Sequence, residues 1–122
     1  MGDQSLDSST IVENAIAKAS EKLKVNPMVI ASSDFNHYES LEMAKQKDSQ
    51  LLDAIKSLDE VRFNDLIPRV EDSICGYGPI TVSILDAKRK GAAKGIVMDY
   101  STSGDVTRDY SSVVAYASIA FI

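Results

Sequence analysis

The chain has 122 residues, 44% of them hydrophobic and 25% charged, the make-up of one ordinary globular domain. Its formal net charge of -5 argues against a nucleic-acid backbone as partner, because phosphates require a basic face. No apolar run is long enough to span a membrane, no N-terminal stretch reads as a signal peptide, and the lone Cys75 excludes an internal disulfide and fits a reducing, cytoplasmic compartment.

The polar start Met1–Ser5 leads into a first helix that Asp7, Ser8 or Ser9 can cap. Val12, Ile16, Ala19 and Leu23 recur at helical spacing and form its expected inner face, and Asn26-Pro27 stops it. Met28–Ala31 is a short apolar run, expected to be a strand buried on both faces in a parallel sheet. A second helix carries Leu41, Ala44, Leu51, Ile55 and Leu58 on one face, with Asp48 interrupting it. Asp59 should cap a third helix bearing Phe63, Leu66 and Ile67, which Pro68 should kink or end.

After the turn Gly76-Tyr77-Gly78-Pro79, a fourth helix carries Ile80, Ile84, Leu85 and Ala87. Pro79 suits its first turn, Lys88, Arg89 and Lys90 complement its negative end, and Gly91 stops it. Two further strands are expected, Lys94–Tyr100 and Ser112–Phe121, separated by a polar loop at 101–107. The last reads "SVVAYASIAF", apolar on both faces, and belongs inside a sheet. The pattern is α/β: a partial mixed or parallel sheet flanked by helices. It looks unfinished, because a fully apolar edge would invite aggregation.

The chemistry-bearing residues fall in loops at strand ends, where ligands gather in open α/β sheets. "SSDFNHY" at 32–38 holds Ser33, Asp34 and the only histidine, His37. His37 could bind a metal, serve as general acid or base, or be an ordinary polar residue, and Asp34 could orient its ring. Cys75 precedes a Gly-rich helix start, where thiolate is favoured and Gly76 lets other backbone approach. A buried, inert thiol is the plainer alternative. Ser103, Gly104 and Asp105 form a turn after a strand, and "GDQ" at 2–4, with Asp3, is a weaker signal. One histidine, one cysteine and a few aspartates fall short of the usual three protein ligands plus open position of a catalytic metal.

"GDQ", "VIASSDFNHY", "MAKQKDSQLLDAIKSLD", "DSICGYGPI" and "YSTSGDVTRDYSSVVAYASIAF", in that order, resemble the C-terminal part of the MEMO family, also called AmmeMemoRadiSam system protein B. The resemblance implies a fold like that of class III extradiol dioxygenases and a domain about twice this length, of which residues 1–122 would be the C-terminal portion. It also implies a metal pocket holding iron or copper, lined by two histidines from the absent N-terminal half together with Cys75, Asp34 and His37. Only His37 exists here, so this chain alone lacks the upstream ligands. Arg108 and Ala115 stand where glycine is common in the family.

Two functions compete. One is metal-dependent oxidation in the full-length form, with Asp34, His37 and Cys75 carrying the chemistry, His37 and Cys75 as metal ligands, and Asp3, Ser33, Gly76, Ser103, Gly104 and Asp105 lining the pocket. The other is a non-catalytic accessory module that captures a small molecule or peptide. An acidic chain is a poor phosphate binder, which places phosphopeptides low. The expected partners are the missing N-terminal half or a companion chain, or further copies in a homo-oligomer; nucleic acid and membrane are not expected.

Overall fold

The computed structural model describes residues 1–122 as five helices and three strands. In chain order these are α1 (Leu6–Leu23), β1 (His37–Glu39), α2 (Leu41–Lys56), α3 (Glu60–Val70), α4 (Tyr77–Arg89), β2 (Gly95–Thr102), α5 (Gly104–Thr107) and β3 (Val113–Phe121). The α/β reading holds. The sheet has the order β1-β3-β2, and both pairings are antiparallel. The apolar strand read as "SVVAYASIAF" is indeed the central one.

Local chemistry explains the helix ends. The Ser5 hydroxyl accepts from the Ser8 N–H, that of Ser40 from the Met43 N–H, and the Asp59 carboxylate from the Arg62 N–H. Each side chain satisfies an amide that a helix start would otherwise leave unpaired. The cap of α1 is therefore Ser5, one turn ahead of the residues expected to serve. Pro68 lies in the last turn of α3, which runs on to Val70, and Pro79 sits in the first turn of α4 as expected. Gly91, with φ of 87°, turns the chain after α4.

The core lies between α2, α3, α4 and the start of β3. Phe63, Leu51, Ile55, Ile84 and Ala115 are fully buried there, joined by Phe35, Leu58, Ile74 and Ile80. Each large side chain contributes about 1.5–3 kcal/mol by leaving water.

The expected parallel or mixed pairing gives way to antiparallel pairing throughout, and the expected loop at 101–107 is the end of β2 followed by α5. Two further expectations fail, for related reasons. Met28–Ala31 is not a strand, and Met28 and Ile30 are 84% and 80% exposed. Ladder pairing to β3 begins only at Phe35, whose N–H donates to the Ala115 carbonyl. A run without a neighbour to share its backbone hydrogen bonds stays irregular. In α1 the apolar stripe is not the buried face: Leu23 is 69% exposed, whereas Ser9 and Glu13 are buried. Small and polar groups face α4 because Arg89 pairs with Glu13 at 2.6 Å and the Ser9 hydroxyl donates to the Gly78 carbonyl. The helix is positioned by those polar contacts, and its apolar stripe is left uncovered.

Candidate metal centre

The residues of "SSDFNHY" and of the Cys75 turn come together. Ligand atoms of Asp34, His37 and Cys75 all lie within 4.8 Å of one another. Three local devices produce this.

The first is a β-bulge at Tyr38. Residues His37 and Glu39 pair with Val114 and Val113, which leaves Tyr38 as the extra residue in a left-handed backbone conformation, φ 63°. A bulky side chain there is strained by about 1–2 kcal/mol. Such a bulge re-aims its neighbours. Here His37 is turned against Ser73: the His37 N–H donates to the Ser73 hydroxyl at 2.7 Å, and ring Nδ1 lies 2.9 Å from the Ser73 carbonyl oxygen. A carbonyl can only accept, so in the neutral ring Nδ1 carries the proton and Nε2 the lone pair. Nε2 is 3.5 Å from Asp34 Oδ2.

The second device is the close approach of residue 33 to residue 76. The Gly76 N–H donates to the Ser33 hydroxyl at 2.8 Å, and a Cβ at Gly76 would stand 2.7 Å from the Ser33 Cβ. Only glycine fits. This brings the Asp34 N–H to 3.3 Å from the Cys75 sulfur, and the Ser33 hydroxyl to 3.7 Å from it. Cys75 immediately precedes Gly76, the cap residue of α4, as the sequence suggested.

The third is Gln4, whose side chain straps the turn. Its amide donates to the Cys75 carbonyl at 3.0 Å and accepts from the Gly78 N–H at 2.8 Å. The weak "GDQ" signal thus holds a residue of consequence, although it is not Asp3. Asp3 accepts from the Ser5 N–H and the Ser8 hydroxyl, and those bonds hold its carboxylate below the usual range. Ser103, Gly104 and Asp105 bond within their own corner: Ser103 accepts from the Val114 N–H, Asp105 from the Thr102 N–H, and Gly104 packs under the Tyr110 ring.

Behind the site lies a buried polar cluster that helical spacing flagged only as a break in an apolar stripe. Asp48, fully buried, accepts from the Asn36 N–H at 3.2 Å and from the Tyr100 hydroxyl at 2.5 Å. The Asp72 carboxyl stands against it. The signal in the sequence was the carboxylate itself, since a buried one must find partners.

The donor set is one imidazole nitrogen, one thiol sulfur and one carboxylate oxygen. The nitrogen and sulfur donors, borderline and soft, suit a first-row transition metal better than magnesium or calcium, which favour oxygen alone. The Asp34 side chain is 47% exposed and Cys75 is exposed, so the site opens on one side. The residues fit a metal ion with open coordination positions.

A family model described as "Memo-like protein" matches residues 1–120. Among curated proteins, a MEMO1 family protein of Methanopyrus kandleri is 41% identical over 121 residues, covering 99% of this chain and 43% of that protein. A MEMO1 family protein of Methanosarcina acetivorans is 39% identical, covering 98% and 45%, and one of Nitrosopumilus maritimus is 40% identical, covering 98% and 43%. The chain spans less than half the length of these relatives. It belongs to the Memo-like family.

Proposed function

We propose that this chain supplies one wall of a redox-metal pocket and that the completed protein carries out metal-dependent oxidation of the dioxygenase type. The observation that supports this most directly is the convergence of Asp34, His37 and Cys75 within 4.8 Å from two separate segments. His37 offers Nε2 because Ser73 occupies Nδ1. Cys75 offers sulfur beside a helix start, and Asp34 serves as a ligand or as an acceptor for a proton leaving substrate. Iron or copper bound there would supply the electron transfer.

Three ligands from an exposed site leave room for donors from elsewhere. Residues beyond this chain, in a companion polypeptide or in the remainder of a longer domain, would complete the pocket. The length of the relatives supports this, as do exposed Met28, Ile30 and Leu23, which a partner would cover.

The test is anaerobic titration of Fe(II) and Cu(I) into this chain and into its Cys75→Ser variant, alone and with a companion polypeptide supplying the rest of a full-length relative. Binding that tightens with the companion and is lost on Cys75→Ser is expected. Metal affinity unchanged by that substitution would remove the cysteine from the ligand set and sink the reading.

One observation favours the non-catalytic alternative. A groove of about 700 Å³, lined by Pro27, Met28, Ile30, Phe35, Ile80 and Ile119, runs beside the site. It could hold a small molecule or peptide without turnover. Absence of metal binding in every form of the protein would favour it.

A further inference from the structure

The two segments that build the site are joined at a second place, deeper than the metal ligands. Asn36, the residue before His37, is fully buried and gives its N–H to Asp48 Oδ1. Ser73, which grips both the N–H and the ring of His37, follows Asp72. The Asp48 and Asp72 carboxyls meet within hydrogen-bonding reach between these two segments. Asp72 Oδ1 accepts from the Ile74 N–H, but its Oδ2 is buried with no donor. Both Asp48 oxygens already accept, one from Asn36 and one from Tyr100. As placed, Asp72 Oδ2 receives no hydrogen bond, although the Asn36 side-chain amide and Lys47 lie near enough to favour its charge, and two facing carboxyls of which one is fully buried cannot both ionise cheaply.

We propose that Asp48 and Asp72 share a single proton, that this proton staples the His37 segment to the Cys75 segment, and that its loss loosens the site. With the proton present, one O–H···O bond bridges the segments. Without it, two like charges face each other across the same gap and push Asn36 away from Ser73. The consequence for a bound metal rests on the pocket reading above; the shared proton does not.

The charged surroundings agree. Tyr100, from β2, donates to Asp48 at 2.5 Å. Lys47, from α2, is paired with Glu39 of β1 at 2.8 Å and also bonds the Glu71 carbonyl, and its charge favours the ionised form of Asp72, opposing the effect of burial. Glu39 in turn accepts from the Asn36 side-chain amide at 2.7 Å, and its carboxyl is held below the usual range, chiefly by Lys47. Burial pushes Asp48 up to about 7, with Asp72 adding to the rise against the bonds from Tyr100 and Asn36. Burial raises Asp72 too, against the bonds from Asp48, the Ile74 N–H and the Asn36 amide and the charge of Lys47. For two carboxyls that interact this closely, a proton is assigned to the pair and not to either residue.

The sign follows from linkage. A carboxyl whose folded pKa lies above its unfolded value of 3.8 contributes stability that is fully present below that value and is lost as pH rises toward about 7. Carbon-13 NMR of the aspartate carboxyls, with amide shifts of Asn36 and Ser73, reads the pair directly in metal-free protein. We expect a carboxyl step near pH 7, an amide step at the same midpoint, and loss of both in Asp72→Asn. His37→Gln should retain them, which separates the pair from imidazole titration. Asp48 and Asp72 resonances that both titrate below about pH 5 would overturn the proposal, as would an amide step that vanishes in His37→Gln. Because no metal is added, neither outcome depends on whether the pocket binds one.

Discussion

The ring of His37 and the backbone carbonyl of Ser73 meet at 2.9 Å through Nδ1, and this contact decides which imidazole nitrogen is left for a ligand. The ring is mostly buried, with Ser73 at Nδ1 and Asp34 at 3.5 Å from Nε2, but it is not part of the apolar core. His37→Ala should therefore lower metal affinity by at least 10–100-fold, the range seen when the support of a metal ligand is removed. The folding cost should stay near 1 kcal/mol, the worth of one hydrogen bond. Isothermal titration and urea unfolding measure the two. A stability loss of several kcal/mol with metal affinity retained would make His37 a structural residue.

Gly76 is the second place where site and fold are tied. A methyl group there would enter the space of the Ser33 side chain, 2.7 Å from its Cβ and 3.0 Å from the Ser32 carbonyl oxygen. Gly76→Ala should cost about 1–3 kcal/mol, as overpacking does. It should also separate Cys75 from Asp34 and weaken metal binding. An unchanged unfolding midpoint would show that the two segments are free to move apart.

Removing the Tyr100 hydroxyl leaves Asp48 Oδ2 without its donor in a fully buried position. Tyr100→Phe should destabilise the fold by about 1.5–3 kcal/mol, the cost of losing a bond to a charged or proton-sharing group. The effect should be read at pH 6 and again at pH 8, where ionisation of the acid pair makes the missing donor costlier. Equal and small losses at both pH values would contradict this.

Arg108 ends α5 in the left-handed region, φ 64°, with its N–H bonded to the Gly104 carbonyl. A side chain there is strained by about 1–2 kcal/mol, a cost that glycine would avoid. Arg108→Gly should stabilise the chain by about 0.5 kcal/mol, after the extra freedom glycine gives the unfolded state is subtracted. Arg108→Ala should change little. Differential scanning calorimetry of the three proteins decides it.

What the sequence revealed was what short-range chemistry controls. Asp59, Pro79 and Gly91 mark helix ends through their own backbone preferences, and they stand where expected. The run from Val113 to Phe121 is apolar enough to demand two neighbours, and β3 is central. Asp34, His37 and Cys75 stood out singly, and the family resemblance grouped them; the strand expected ahead of Asp34 is absent and His37 lies in β1 rather than in a loop. The misses all depend on distant partners. Ser9 and Glu13 are buried in α1 only because Gly78 and Arg89 arrive from α4. Asp48 is tolerated in the core only because Tyr100 and Asn36 reach it. Met28–Ala31 has the composition of a strand and no neighbour within this chain to make it one.

The strap formed by Gln4 has a practical consequence. One side-chain amide, more than seventy residues away in the chain, moors both the Cys75 carbonyl and the Gly78 amide. Gln4→Ala would release the two together without touching any of the three candidate ligands. The presentation of the thiol is thus set in part from a distance, and the rate of Cys75 reaction with a thiol reagent would report how firmly it is held.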